Sequence, residues 1–161
     1  MKVLGIDPGY GRCGMAVVEK VDGKEILIYS TCVETSPKDE FGDRLAAVAD
    51  ACTRLIHEYR SDIMAMEKLY VSTNQKTAMR VAEVRGALLH AAALNNLPVF
   101  EYTPGQIKQA AAGFGGADKK QVAKMLHLLV HIEKPIRYDD EYDAIAIAIT
   151  HFAHAKTNPH K

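Results

Sequence analysis

Met1-Lys2-Val3-Leu4-Gly5-Ile6-Asp7-Pro8-Gly9-Tyr10-Gly11-Arg12-Cys13-Gly14 opens the chain as a short apolar run that ends on one carboxylate and then turns. Val3, Leu4 and Ile6 favour a pleated, packed strand, and Pro8, Gly9 and Gly11 stop it sharply. Asp7 therefore ends a buried strand with tight backbone immediately behind it. A carboxylate in that position is costly unless it is paired, hydrogen-bonded or bound to a metal. The plainer alternative is that Asp7 caps the turn, an ordinary role for Asp before Pro-Gly. The two readings part on whether other carboxylates converge on Asp7.

Outward from that strand, Gly14 to Glu19 reads as a second strand and Glu25 to Glu34 as a third. Val21-Asp22-Gly23-Lys24 supplies the hairpin turn between them, since Asp-Gly favours the left-handed backbone of a tight hairpin. Phe41 to Tyr59 changes period: Leu45, Val48, Ala49, Cys52, Leu55 and Ile56 recur at helical spacing. Ile63 to Met66 is a short apolar strand that ends on Glu67, so a second strand delivers a carboxylate. A loop from Leu69 to Asn74 carries Tyr70, and Gln75 to Asn95 is a long helix with Arg80 and Arg85 among apolar residues. Its small residues Ala82, Gly86 and Ala87 would allow close helix approach, with core packing preferred over a dimer contact.

Pro98 to Tyr102 is a further strand, and Pro104 suits the start of the helix over Ile107 to Ala112. Gly113 to Lys120 is a glycine-rich turn leading into a helix over Gln121 to Val130. Glycines followed by Lys119 and Lys120 at a helix start can grip a phosphate, although the P-loop spacing is absent. Asp139-Asp140-Glu141-Tyr142-Asp143 then opens an Ala/Ile-rich segment that reads as a buried helix. Asp140 and Asp143 are three apart and share one helix face, whereas Asp139 and Glu141 point elsewhere. Acids at a helix start also complement its dipole, which accounts for one or two of the four.

The 161 residues suit one α/β domain with a sizeable core, expected over residues 1–155, with 156–161 a flexible tail. No apolar run reaches the eighteen or so residues needed to span a bilayer, and the N-terminus has no signal-peptide layout. Cys13, Cys32 and Cys52 form no CxxC pair and are expected to be buried, reduced thiols in a cytoplasmic protein. Net charge is zero but unevenly spread. Met1 to Glu67 holds 8 basic and 12 acidic residues, Lys68 to Arg137 holds 10 and 4, and Tyr138 to Lys161 holds 2 and 4. A basic middle thus lies between two acidic ends that carry the candidate carboxylates.

If the two acid-bearing strands are neighbours and the last helix packs at their ends, Asp7, Glu67, Asp140 and Asp143 meet. Four clustered carboxylates repel one another, and burial worsens the repulsion, so the cluster requires divalent cations. Oxygen ligands of this kind suit Mg²⁺ or Mn²⁺. Two such ions ~3.5–4 Å apart would activate water and stabilise the leaving oxygen in phosphodiester hydrolysis. No HExxH and no Gly-x-Ser-x-Gly is present, so zinc-protease and serine-hydrolase readings have no motif.

Gly5-Ile6-Asp7-Pro8-Gly9, Met66-Glu67 and Asp140-x-x-Asp143-Ala144-x-Ala146-x-Ala148-x-Thr150-His151 together closely resemble the RuvC family of bacterial Holliday junction endonucleases. Val84 to Ala87, Leu97 to Tyr102 and Gln106 to Gln109 extend the likeness over nearly the whole chain. The resemblance implies a ribonuclease-H-like fold, a mixed five-stranded sheet flanked by helices. It implies that Asp7, Glu67, Asp140 and Asp143 are the metal-binding catalytic acids of a Mg²⁺-dependent endodeoxyribonuclease that serves recombination and repair. It also implies two ions per site, with Mn²⁺ able to substitute. Tyr70 falls where the family has an aromatic residue, usually Phe, and Lys108 and Lys119 match lysines near the scissile DNA. With Arg80 and Lys120 these are the candidate DNA contacts. A homodimer that cuts opposed strands symmetrically at a thymine-containing site, alongside the RuvA–RuvB branch-migration complex, is implied as well. Two other readings compete: a ribonuclease-H-like enzyme of RNA processing, and an actin-like nucleotide binder, for which 161 residues are too few.

Overall fold

The computed structural model describes residues 1–69, 75–113 and 115–155. Tyr70 and the expected tail 156–161 lie outside the described residues. Strand β1 (Lys2–Asp7) pairs antiparallel with β2 (Arg12–Val21), which pairs antiparallel with β3 (Lys24–Glu34). Asp22 and Gly23 make the hairpin turn with φ of 49° and 80°, the left-handed backbone expected of Asp-Gly. On the other side of β1, β4 (Ile63–Glu67) and then β5 (Val99–Tyr102) add in parallel.

A sixth strand, β6 (Val130–His131), pairs parallel with the start of β3, giving the order β5-β4-β1-β2-β3-β6. The sheet is therefore six-stranded where five strands were expected. Two residues are too short for any period to show, and Val130 continues the apolar pattern of the helix before it.

Helices α1 (Phe41–Tyr59) and α2 (Gln75–Leu94) cover one face of the sheet. Helices α3 (Pro104–Ala112), α4 (Lys119–Leu129) and α5 (Asp139–Ala155) cover the other. Strand alternation sorts side chains between them. Leu4, Ile6, Met64 and Met66 pack with α1 and α2, whereas Val3, Ile63 and Ala65 pack with α5. Gly5, Asp7 and Glu67 follow the second parity, which aims both carboxylates at the α5 face.

Two helix starts fall earlier than periodicity alone predicts. Thr103 and Gln106 form a capping box, so α3 begins at Pro104. Asp118 and Gln121 form another, which makes Lys119 the first residue of α4. The preference for core packing at α2 is corrected: Ala82 and Gly86 face outward, and only Ala87 of the three is half-buried. With Met79 (67% exposed), Leu89 (40%) and Ala93 they repeat at alternating steps of three and four along one exposed stripe. All three cysteines are free; Cys13 and Cys52 are buried, but Cys32 is only half-buried. Among the described residues no helix is long and apolar enough to cross a membrane.

Candidate active site

The register joins the first two acids. Ile6 pairs with Met66 in the parallel β1–β4 ladder, so Asp7 and Glu67 extend side by side, about one strand spacing of 4.8 Å apart. Across β1 the partner of Asp7 is Gly14. A side chain there would strike the main chain of Asp140, and one at Gly5 would strike the main chain of Ala144 and Ala148. These two glycines let the α5 backbone lie directly on β1 and β2 and bring its first turn to Asp7.

Burial pushes the Asp7 carboxyl up to about 7, and the nearby charges of Asp143, Glu67 and Asp140 add to it. Burial raises Glu67 as well, with Asp143 adding and the cations of Arg85, Lys108 and Lys119 opposing. Asp143 is raised by burial and held down by Lys119, whose Nζ lies 3.4 Å from Asp143 Oδ2. Asp143 in turn raises Lys119. Asp140 Oδ2 lies 3.3 Å from Arg12 Nε, off the hydrogen-bond axis, so this buried oxygen accepts no hydrogen bond.

The four acids thus interact across one site, but as they stand their oxygens do not close on a single point. Among the described residues no three His, Cys, Asp or Glu side chains form such a set. Asp143 is turned to Lys119 and Asp140 to Arg12. A carboxyl driven up to about 7 by burial and three neighbouring acids, beside a buried Asp140 oxygen that accepts no hydrogen bond, fits a hard divalent cation.

A cleft of about 480 Å³ opens beside the acids, with Glu67, Asp143, Lys108 and Lys119 at its polar side. Lys120 is exposed on the first turn of α4. Arg80 is not drawn to the acids. Its guanidinium stacks 3.8 Å from the Phe41 ring centre and pairs with Glu83 at 3.2 Å.

Sequence reasoning missed three charged residues around the site. Arg12 lies within the opening stretch, but its partner Asp140 is remote in sequence. Arg85, read as one more residue of an amphipathic helix, is buried and reaches the main-chain oxygen of Glu67. Glu141 points away from Asp140 as expected, yet it is 5% exposed and accepts from Ser30 Oγ at 2.7 Å and Lys134 Nζ at 2.9 Å. It anchors the first turn of α5 to β3. No local signal distinguishes it from an acid that merely complements the helix dipole.

A mixed sheet with paired carboxylates at the ends of neighbouring strands, closed by an acid-bearing helix, defines a ribonuclease-H-like nuclease. The comparisons then give the particular family. The family model described as crossover junction endodeoxyribonuclease RuvC matches residues 3–151. A protein of that description from Petrotoga mobilis is 44% identical over 151 residues, covering 94% of this chain and 93% of the relative. Another from Thermosipho melanesiensis is 42% identical over 148 residues, covering 92% and 94%. The T. thermophilus RuvC structure in complex with Holliday junction substrate superposes with a TM-score of 0.91 at 34% identity, covering 98% of this chain and 96% of that one. The chain belongs to the RuvC family, whose members are crossover junction endodeoxyribonucleases. It is a nuclease of DNA recombination and repair, in a family of metal-dependent enzymes.

Proposed function

We propose that this chain resolves four-way DNA junctions by paired, symmetric hydrolytic cuts, with Asp7, Glu67, Asp140 and Asp143 as its metal-binding acids. The observation that carries the assignment is the Asp7 carboxyl, pushed up to about 7 by burial and by the three other acids. A group so placed gains most from a cation and loses its proton to one. Asp7, flanked by Glu67 on one side and the α5 acids on the other, would hold two Mg²⁺ ions together with them, with Mn²⁺ as substitute. When bound, the ions supply a polarised water nucleophile and offset charge on the leaving oxygen.

The remaining steps belong to this chain's own groups. Lys119 and Arg12 hold Asp143 and Asp140. Lys119 and Lys108 line the same cleft beside Glu67 and Asp143, where both would face phosphate oxygens of the DNA. Lys120, Arg80 and Tyr70 complete the proposed DNA contacts, and Tyr70 would stack on a base. Each chain carries one such cluster among its described residues, so cutting two opposed strands takes two copies. The outward stripe of Met79, Ala82, Gly86, Leu89 and Ala93 on α2 is a seat for the second copy, because its small residues let helices approach closely. A single domain over 1–155, a cytoplasmic setting, a thymine-containing cutting site and cooperation with RuvA–RuvB complete the reading.

The test is cleavage of a labelled four-way junction by the purified protein with Mg²⁺ or Mn²⁺, beside linear duplex and linear RNA. Paired nicks confined to the junction, absent from Asp7→Asn while its junction binding persists, are the expected result. Cutting by Asp7→Asn would overturn the site assignment, and preferential cutting of RNA would overturn the substrate.

A further inference from the structure

Arg85 is the one charged residue in the buried face of α2, 8% exposed among Val84, Leu88, Ala91 and Ala92. A guanidinium in that setting carries a desolvation cost that an apolar side chain would avoid. Its contacts lie at the carboxyl ends of two strands. Nη1 donates to the main-chain oxygen of Glu67, and Nη2 donates to Oε1 of Glu101 on β5. With Asp7, Pro8 and Glu67 it lines a second cleft of about 260 Å³ behind the acids.

Glu67 is the last residue of β4 and its side chain is half-buried. The next main-chain group still joins β5, since Lys68 N–H donates to Tyr102 O at 2.8 Å. The Glu67 carbonyl is held by Arg85 instead. A planar fork gripping a carbonyl with one arm and a carboxylate with the other fixes direction as well as distance, which a flexible ammonium does not.

We propose that Arg85 is a positioning residue: gripped by Glu101, it fixes the end of β4 so that Glu67 stays presented to Asp7 and to a divalent ion. This rests on the assignment of Glu67 as a metal-binding acid. Because Arg85 projects from the helix that also carries the proposed seat for a second copy, it ties that helix to the catalytic strand as well.

The experiment measures Mn²⁺ binding to the DNA-free protein by calorimetry, and junction cleavage against Mg²⁺ concentration, in the native chain and three variants. Arg85→Met keeps the stem and removes the donors, Arg85→Lys keeps the charge on one compact ammonium without the fork, and Glu101→Gln loosens the grip on the fork. Arg85→Met is expected to weaken Mn²⁺ binding about 10-fold and raise the half-saturating Mg²⁺ to match, the range typical of groups that orient metal ligands. Arg85→Lys recovers part of the loss, and junction binding in EDTA stays within about twofold throughout, since Arg85 reaches ligand only through Glu67. Native Mn²⁺ affinity and Mg²⁺ dependence in folded Arg85→Met would overturn the proposal. If that variant does not fold, native behaviour of both Arg85→Lys and Glu101→Gln overturns it instead. A native chain that neither binds Mn²⁺ nor cuts junctions would sink the metal-site reading beneath it, a failure separate from equal binding by native and variant proteins.

Discussion

The two faces of the sheet are built from different materials. Against α1 and α2 the strands present large side chains, Leu4, Ile6, Met15, Met64 and Met66, which interlock with Leu55 and Leu88. Against α5 they also present Val3, Val18 and Ile63, but beneath its first turns they present Gly5, Gly14, Ala16 and Ala65, and α5 answers with Ala144 and Ala148. Large residues bury more apolar area per position, whereas small ones let two backbones touch. Both faces bury a core that holds the domain together. The second sets the distance between the strand acids Asp7 and Glu67 and the helix acids Asp140 and Asp143.

The largest expected effect comes from exchanging these roles. Gly14→Ala puts a methyl into the main chain of Asp140, which has no side-chain rotamer with which to yield. The first turn of α5 must shift, and a misplacement of about 1 Å at a catalytic group costs on the order of 100-fold in rate. Leu55→Ala on the other face should cost about 2–5 kcal/mol of stability. Junction cleavage by its folded fraction should stay within about twofold, because Leu55 touches neither the acids nor α5. Melting curves and cleavage rates of the two variants check this. Equal rate losses would mean that both faces set the site, and native cleavage by Gly14→Ala would mean that Gly14 does not.

A smaller effect follows from the charge gathered on the α5 face. In the metal-free protein Asp7 titrates at about 7, well above the unfolded value near 3.9. The folded state therefore binds more protons than the unfolded state between those limits, and stability falls as pH rises through them. Between about pH 5.5 and 7 the loss amounts to roughly 2 kcal/mol, then levels off. Melting in EDTA at acid and alkaline pH should show this slope in the native chain and a smaller one in Asp7→Asn, where Glu67 and Asp143, also raised by burial, still contribute. Added Mg²⁺ should restore stability most at the alkaline end, where no proton has to be displaced. A native chain whose metal-free stability rises over that interval would contradict the crowding of carboxylates around Asp7.

The division between the faces also explains what the sequence discloses. Strand parity and helical period are local, so Asp7 and Glu67 at strand ends, and Asp140 and Asp143 on one helix face, are legible from their neighbours alone. Asp22-Gly23 announces its turn for the same reason. Partners that meet only in the folded chain are not legible. Nothing near Arg85 points to the Glu67 carbonyl, nor near Glu141 to Ser30 and Lys134. The outward face of Ala82 and Gly86 is hidden because a small residue reads alike in a core and in an open stripe. The two-residue β6 carries no period, and so the sixth strand is missing from a count by pattern.

Arg80 is where the comparison is sharpest and the expected effect smallest. It stands on the α1/α2 side, where its guanidinium stacks on Phe41 and pairs with Glu83. An exposed cation–π contact and an i,i+3 ion pair together contribute about 0.7–1.5 kcal/mol, so Arg80→Ala should lower stability by no more than that. A guanidinium that is 42% exposed still has donors free for a phosphate, and stacking fixes its direction without using them. Its proposed role on DNA should therefore be read from salt dependence rather than from affinity at one condition. Loss of one phosphate contact lowers the slope of log affinity against log salt by about 0.9. A slope reduced by that amount in Arg80→Ala, with metal binding unchanged, would extend the DNA surface from the α5 face around to α1. An unchanged slope beside the small stability loss would confine Arg80 to joining α2 to α1, and leave the DNA to the face that carries the acids.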